Sequence, residues 1–201
     1  MKILIIGGNG TIGKRVVKRF RQDHEVIVAG KTSGDVQIDI ADSDAIGKMF
    51  EHIGQLDSIV CIAGEAKWAK LDDLSEKDYY VGIRSKMMGQ VNIARTGKKY
   101  LTAGGSITLT TGILGDFPVD MTTSAAMVNG AIHSFVKAAA LELTNDLRIN
   151  AVCSDLVEDS KEKYADYFPG HTPVPMHKVV NAYVMSVMGK INGEIIRLKE
   201  W

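Results

Sequence analysis

Residues 3–13 read Ile-Leu-Ile-Ile-Gly-Gly-Asn-Gly-Thr-Ile-Gly, an apolar run interrupted by glycines at 7, 8, 10 and 13, and a polar segment of helical period follows. Ile3 to Ile6 has the length and branching of a buried strand, and Gly8, Gly10 and Gly13 fit G-x-G-x-x-G at the hand-over from strand to helix. One glycine permits a tight turn, the next lets the backbone approach a pyrophosphate, and the last lets helix and strand pack closely. An anion placed there meets unpaired amides and the positive end of the helix dipole. The turn therefore demands a parallel strand–helix–strand unit. The ligand it implies is a dinucleotide, with Gly7, Gly8, Asn9, Gly10, Thr11, Ile12 and Gly13 around its phosphates.

The rest of the chain repeats that alternation. Strand-like runs fall at Ile3 to Ile6, Glu25 to Ala29, Val36 to Ile38, Ser58 to Ile62, Ser106 to Thr110, Arg148 to Val152 and Glu194 to Leu198. Helical periods cover Thr11 to Asp23, Asp42 to His52, a long stretch from Ser75 to Tyr100, Thr123 to about Asn145, and Met176 to Lys190. Short β-rich runs separated by helices predict a Rossmann-type α/β fold, a doubly wound parallel sheet of about seven strands with helices on both faces. With 201 residues, no internal repeat and no Pro/Gly/Ser-rich linker, residues 1–201 are expected to form one domain.

Charge then narrows the partners. Lys plus Arg and Asp plus Glu each total 24, so no broad basic field exists to draw nucleic acid or an anionic lipid surface. A small-molecule substrate is expected instead. The opening apolar run stops after about five residues, short of a signal-peptide core or a membrane span. No longer run follows, and both cysteines, Cys61 and Cys153, sit in apolar segments typical of inert thiols in a reducing compartment. A cytoplasmic protein is the expectation.

The end of the second strand bears on which dinucleotide is taken. NAD sites place an acid there to accept from the ribose hydroxyls. Here the chain runs Val28-Ala29-Gly30-Lys31-Thr32-Ser33, with a cation and hydroxyls at Lys31 and Thr32 suited to a 2′-phosphate. NADP(H) is favoured over NAD(H). Asp35 keeps the NAD(H) alternative open, although it stands where a third strand opens.

The order of further segments resembles the short-chain dehydrogenase/reductase family almost from end to end. Carrying the likeness are the Gly-rich turn, Asp39-Ile40-Ala41-Asp42, Cys61-Ile62-Ala63-Gly64 where members have Asn-Asn-Ala-Gly, and Gly105-Ser106-Ile107-Thr108-Leu109-Thr110-Thr111-Gly112. Ala140-Leu141-Glu142-Leu143, Arg148-Ile149-Asn150-Ala151-Val152 and Asn192-Gly193-Glu194-Ile195-Ile196 complete it. The resemblance implies a nicotinamide dinucleotide cofactor, with Asp39 and Ile40 at its adenine and Ala63 and Gly64 beside it. It also implies hydride exchange with a carbonyl/alcohol pair, and dimers or tetramers built on the two long helices.

The family's chemistry needs a Ser, a Tyr-x-x-x-Lys pair and a helix Asn: a phenol as general acid/base, a cation that lowers its pKa, and a hydroxyl that polarises the carbonyl. Those positions here hold Gly112, with Thr111 one residue away, Ala125 and Asn129, and no Asn stands at 84–86. The family's Pro-Gly after the sixth strand is replaced by Ser154-Asp155. Catalytic residues are therefore unassigned. Candidate substitutes are Thr123, Ser124, Lys86, Tyr79, Tyr80, Asp116, Asp120, His171, and His133, which lies one helical turn beyond Asn129. No histidine or cysteine spacing marks a metal site.

Three readings stay open: an oxidoreductase whose proton donor is relocated, a catalytically inactive dinucleotide sensor or interaction module, and a purely structural turn that binds nothing. Small and apolar residues on several faces of the long helices (Met87, Met88, Val91, Ala94; Ala131, Phe135, Ala138, Ala139) support a homodimer or homotetramer. The Pro-containing stretch Phe168 to Pro175 is either a lid over the strand ends or a plain connection.

Overall fold

The computed structural model describes residues 1–200, and its seven strands form one parallel sheet in the order β3-β2-β1-β4-β5-β6-β7. The strands are β1 Lys2–Ile6, β2 Glu25–Gly30, β3 Val36–Gln37, β4 Leu56–Cys61, β5 Leu101–Gly112, β6 Arg148–Ser154 and β7 Ile195–Leu198. Helices α1 Thr11–Phe20, α2 Ser43–Ile53, α3 Glu76–Gly82, α4 Gly89–Gly97, α5 Thr123–Glu142, α6 Lys161–Tyr164 and α7 Met176–Met188 connect them. Two cores result. Ile3, Ile5, Val60 and Val152 pack under α1 and α7, whereas Leu4, Ile6, Ile59 and Ile107 pack under α2, α4 and α5. Cover on both faces explains why the central strands are apolar without alternation.

Local chemistry accounts for the element ends. Asp42 caps α2, accepting from the amides of Asp44 at 2.9 Å and Ala45 at 3.1 Å. Ser75 precedes α3, and Asp78 takes both its amide N–H (2.9 Å) and its hydroxyl (2.7 Å). The expected helix to Asn145 ends at Glu142, because Leu143 turns extended and both Asn145 and Asp146 adopt positive φ, 58° and 57°. Helix α1 likewise ends at Phe20 rather than Asp23, and α7 at Met188 rather than Lys190.

Three differences matter more. The expected single helix over Ser75 to Tyr100 is α3 and α4 joined through a π-helical turn, Ile83–Met88. The expected strand Ser106 to Thr110 is the middle of a twelve-residue β5. Its start pairs Leu101 with Leu56 and then resumes at Ser106 opposite Ser58, so a bulge over 102–105 absorbs the mismatch, with Gly104 at φ 75°. The third is a set of helical turns after β6, from Glu158 through α6 to Tyr167, too short to give a periodic signal.

Candidate active site

The strand order reverses between β1 and β4, and ligands of open α/β sheets bind at such a switch point, outside the strands' carboxyl ends. The glycine turn lies there. Gly7 has φ 83°, and a Cβ on it would stand 2.9 Å from the Ala63 amide nitrogen. A Cβ on Gly8 would meet Val28 and Val17 at 2.8 and 2.9 Å, and one on Gly13 would meet the Gly7 carbonyl oxygen at 2.2 Å. Gly10 alone of the four faces open space: its Cβ would meet only the Gly7 oxygen, at 3.3 Å. Three glycines are thus required by packing. The fourth leaves an open side at the start of α1, where the first-turn amides have no intrahelical acceptor.

A cleft of about 230 Å³ runs from this turn over Gly30, Lys31, Asp39, Ile40, Ala63 and Gly64, so the fold gathers the separate sequence candidates on one edge. Lys31 Nζ lies 2.8 Å from Asp39 Oδ2, and the pairing raises the pKa of the lysine and lowers that of the carboxyl. Asn9 Nδ2 donates to Ser33 Oγ at 2.8 Å, tying the glycine turn to the residues after β2. Asp35 faces elsewhere. Its carboxylate accepts from the Val28 amide at 2.8 Å and lies 3.9 Å from Arg21, so it serves the backbone of β2 instead of the cleft.

On the other side of Gly64 opens a cavity of about 460 Å³, reached by Ile12, Lys86, Thr111, Gly112, Ala125 and Asn129. The three family positions do meet here. Asn129 is buried, accepting from the Gly112 amide at 2.9 Å and donating to the Ala125 carbonyl at 2.7 Å. It fastens β5 to α5 and has no proton to give. Lys86, on the π-helical turn, donates to the Thr110 carbonyl at 3.1 Å, and burial lowers its pKa. Gln90, which no sequence motif marks, donates to that carbonyl at 2.8 Å and accepts from the Thr110 amide at 2.9 Å. It replaces ladder bonds where β4 has ended.

His133 does share a helix face with Asn129, but it is buried between α5 and β5. Its Nε2 lies 2.8 Å from Thr111 Oγ1 and its Nδ1 3.6 Å from Asp116, whose oxygens are held by Arg197 at 2.7 and 3.0 Å. Burial lowers the His133 pKa, favouring the neutral ring. Cys153 joins this cluster, its ligand atom within 4.8 Å of those of Asp116 and His133, a grouping no sequence spacing signalled. Burial pushes the Cys153 thiol up to about 11 and Arg197 occupies the carboxylate, which makes the cluster a polar network and a poor cation site.

The remaining candidates disperse. Tyr79 hydrogen-bonds Thr123 at 3.0 Å, Tyr80 lies exposed under Arg84, and Asp120 is exposed. Ser124 is buried beneath Gly82, its hydroxyl without a hydrogen-bond partner among the described residues. His171 donates to Asp155, a cavity-lining carboxylate, at 2.7 Å. That contact and a bridge from Val174 to Val157 fix the stretch Phe168 to Pro175 to the end of β6. Trp68, Tyr164 and Phe168 form the cavity's aromatic wall, with Trp68 ring centroids 5.6 Å from Tyr164 and 6.5 Å from Phe168. No motif marked these three.

Comparison with known proteins agrees with this geometry. Residues 5–179 match the family model described as enoyl-(acyl carrier protein) reductase. The protein lin1944 from Listeria innocua is 43% identical, with a TM-score of 0.97 over 98% of this chain and 99% of that one. A small-chain dehydrogenase solved with NADPH is 29% identical, with a TM-score of 0.87 over 99% of this chain and 96% of that one. Versicolorin reductase 1 of Dothistroma septosporum is 28% identical over 169 residues, 78% of this chain and 63% of the relative, so the chain spans under two thirds of that protein. Elsinochrome reductase 1 of Elsinoe fawcettii is 32% identical over 131 residues, 61% of this chain and 49% of its own length. Among the described residues no helix is long and apolar enough to cross a membrane. The Gly-rich turn, the strand order and the family match together place the chain in the short-chain dehydrogenase/reductase family, whose members bind a nicotinamide dinucleotide.

Proposed function

We propose that the chain is an NADP(H)-dependent oxidoreductase acting on a carbonyl/alcohol pair through a non-standard active site. The observation that carries this reading is the glycine turn, closed by packing at Gly7, Gly8 and Gly13 and open at Gly10 against unpaired helix amides. The amides of residues 11–13 would hold the pyrophosphate, the Gly10 amide being bonded to the Gly7 carbonyl at 3.1 Å, and Asp39, Ile40, Ala63 and Gly64 would hold the adenosine. Lys31 and Thr32, with Ser33 and Asn9 beside them, would take the 2′-phosphate. Lys31 is exposed enough to leave Asp39 for that phosphate, and Asp35 is withdrawn from the ribose. When bound, the dinucleotide supplies a hydride equivalent to a carbonyl carbon.

The larger cavity would take the carbonyl compound, and its aromatic wall suits a substrate with a flat apolar face. On this reading the protein works in the cytoplasm as a homodimer or homotetramer. Calorimetry with NADPH, NADP⁺, NADH and NAD⁺ tests the cofactor. NADPH is expected to bind at least tenfold more tightly than NADH, about 1.4 kcal/mol, and Lys31→Ala to abolish the difference. Equal affinities in the wild type would refute the preference.

A second reading, a dinucleotide sensor without turnover, draws support from Asn129, whose amide holds β5 and α5 together where the family keeps a lysine. A panel of aryl ketones and quinones with NADPH separates the two, since a sensor turns none of them over.

A further inference from the structure

We propose that Lys86 is a catalytic residue, the proton donor of this site, delivering from the π-helical turn an ammonium that replaces both the phenol absent at 125 and the cation absent at 129. The proposal rests on the oxidoreductase reading above and says how it would work. Its first support is placement: Lys86 Nζ lies 3.1 Å from the Thr110 carbonyl and lines the cavity that also holds Thr111, Gly112, Ala125 and Asn129. The functional end of the family's active site and this amine share one space.

The second support is the state of the ammonium. It has three N–H groups, and among the described residues its hydrogen-bond partner is one neutral carbonyl, which Gln90 shares. No carboxylate of the described residues lies within ion-pair distance of it. A partly buried ammonium with so little compensation is expensive for a fold to keep, and exchange for a neutral side chain would relieve the cost. The two remaining N–H groups suit a ligand oxygen.

The third support is that the backbone around Lys86 is shaped to put it there. Irregular π turns inside helices concentrate at functional sites, because the extra residue turns side chains off the regular face. Gly64, at φ 121°, is pressed against this turn so closely that a Cβ on it would stand 2.8 Å from Lys86 Cα. Three residues later, a Cβ on Gly89 would stand 2.9 Å from Ile40. Gly64, in the loop after β4 that borders the cavity, and Gly89, at the start of α4 against Ile40 of the neighbouring cleft, thus seat the turn from both sides.

The chemistry balances. The carbonyl carbon receives a hydride from the reduced dinucleotide, the carbonyl π pair moves onto oxygen, and that oxygen takes a proton from Lys86 Nζ. An alcohol, the oxidised dinucleotide and a neutral amine result, and water entering the open cavity restores the ammonium. Burial lowers the Lys86 pKa and so makes it a better acid than an exposed lysine. The titratable groups around it are Cys61 at the end of β4, Cys153 on β6, and Glu65 and Asp155 at the cavity wall. Both thiols are pushed up to about 11 and stay neutral near pH 7.

The test uses Lys86→Met and Lys86→Arg in the full-length protein, with NADPH binding by calorimetry, turnover of the ketone and quinone panel, and acetylation of ligand-free wild type by acetic anhydride, read at Lys86 by peptide mass across pH. Expected are NADPH affinities within about threefold of wild type for both variants and turnover reduced at least a hundredfold in both. Arginine keeps the charge but does not release a proton. The acetylation midpoint of Lys86 should fall below the ordinary lysine value of 10.5. Wild-type turnover in Lys86→Met, or in Lys86→Arg should the methionine variant not fold, overturns the proposal, as does an acetylation midpoint at or above the ordinary value. If wild type binds NADPH but reduces nothing on the panel, the oxidoreductase reading fails and takes this proposal with it. Turnover by wild type that survives loss of Lys86 refutes the proposal alone.

Discussion

Glycine stands at four places in one turn, and the four positions differ in what a side chain there would meet. Gly13 is a packing residue: a methyl there would sit 2.2 Å from the Gly7 carbonyl oxygen, so α1 would have to move. Gly13→Ala should cost about 3 kcal/mol, seen as a lower urea midpoint, and should weaken nucleotide binding with it. Gly10 faces open space, and on the proposed function that space belongs to the ligand. Gly10→Ala should cost about 1 kcal/mol, the usual loss at a helix N-cap, yet weaken NADPH binding at least tenfold. If calorimetry finds Gly10→Ala binding as wild type does, the open side of the turn is not where the phosphates lie. The spacing that defines the turn was readable from residues 3–13, because steric need for glycine is local. What Asp35 and His133 do was not readable, since each is settled by partners that no spacing marks and only the fold brings within reach: Arg21 and the Val28 amide for one, Thr111 and Asp116 for the other.

Regular elements announce themselves through period, and irregular ones do not. The stretch from Ser75 to Tyr100 reads as one helix because its apolar positions keep helical spacing on either side of residues 83–88. The π turn within it packs closely against Gly64, and the start of α4 just after it against Ile40, two segments far away in the chain. The bulge in β5 is equally hidden, and so are the short turns around α6 that bring Tyr164 and Phe168 to Trp68. Where β5 outruns β4, the backbone of Thr110 loses its ladder partner, and Gln90 on α4 supplies both a donor and an acceptor. Gln90→Leu keeps the volume and removes both bonds, leaving a buried amide N–H unpaired. It should destabilise the protein by about 2–4 kcal/mol in urea unfolding. Gln90→Glu, which still accepts from the Thr110 amide, should cost less while its carboxyl is protonated, and a leucine variant as stable as wild type would mean that Thr110 is hydrated.

At the scale of the whole molecule, the sheet order follows from the alternation of strands and helices, because right-handed crossovers on either side of β1 leave few other windings. Burial on both faces of the sheet is equally implied by its unbroken apolar strands. The same argument leaves α4 and α5 in an unusual position: α5 buries Ala125, Val128, Ile132 and Val136 against the sheet and still turns Met127, Ala138 and Leu141 outward, Leu141 being 88% exposed. An outer surface of small and apolar residues on a twenty-residue helix permits close approach of a second helix, and burying it would lower the free energy of the pair. The homodimer or homotetramer proposed above would therefore use α5, whereas Ala94 of α4, expected on such a face, is buried in the core. Ala138→Arg, on the exposed face, should leave the unfolding midpoint within about 0.5 kcal/mol at concentrations where the chain is monomeric. Under micromolar conditions it should shift the molecular mass measured by light scattering towards that of one chain. A wild type that is already monomeric there would show that the apolar face serves something other than self-association, and an assembly indifferent to Ala138→Arg would place its interface elsewhere on the molecule.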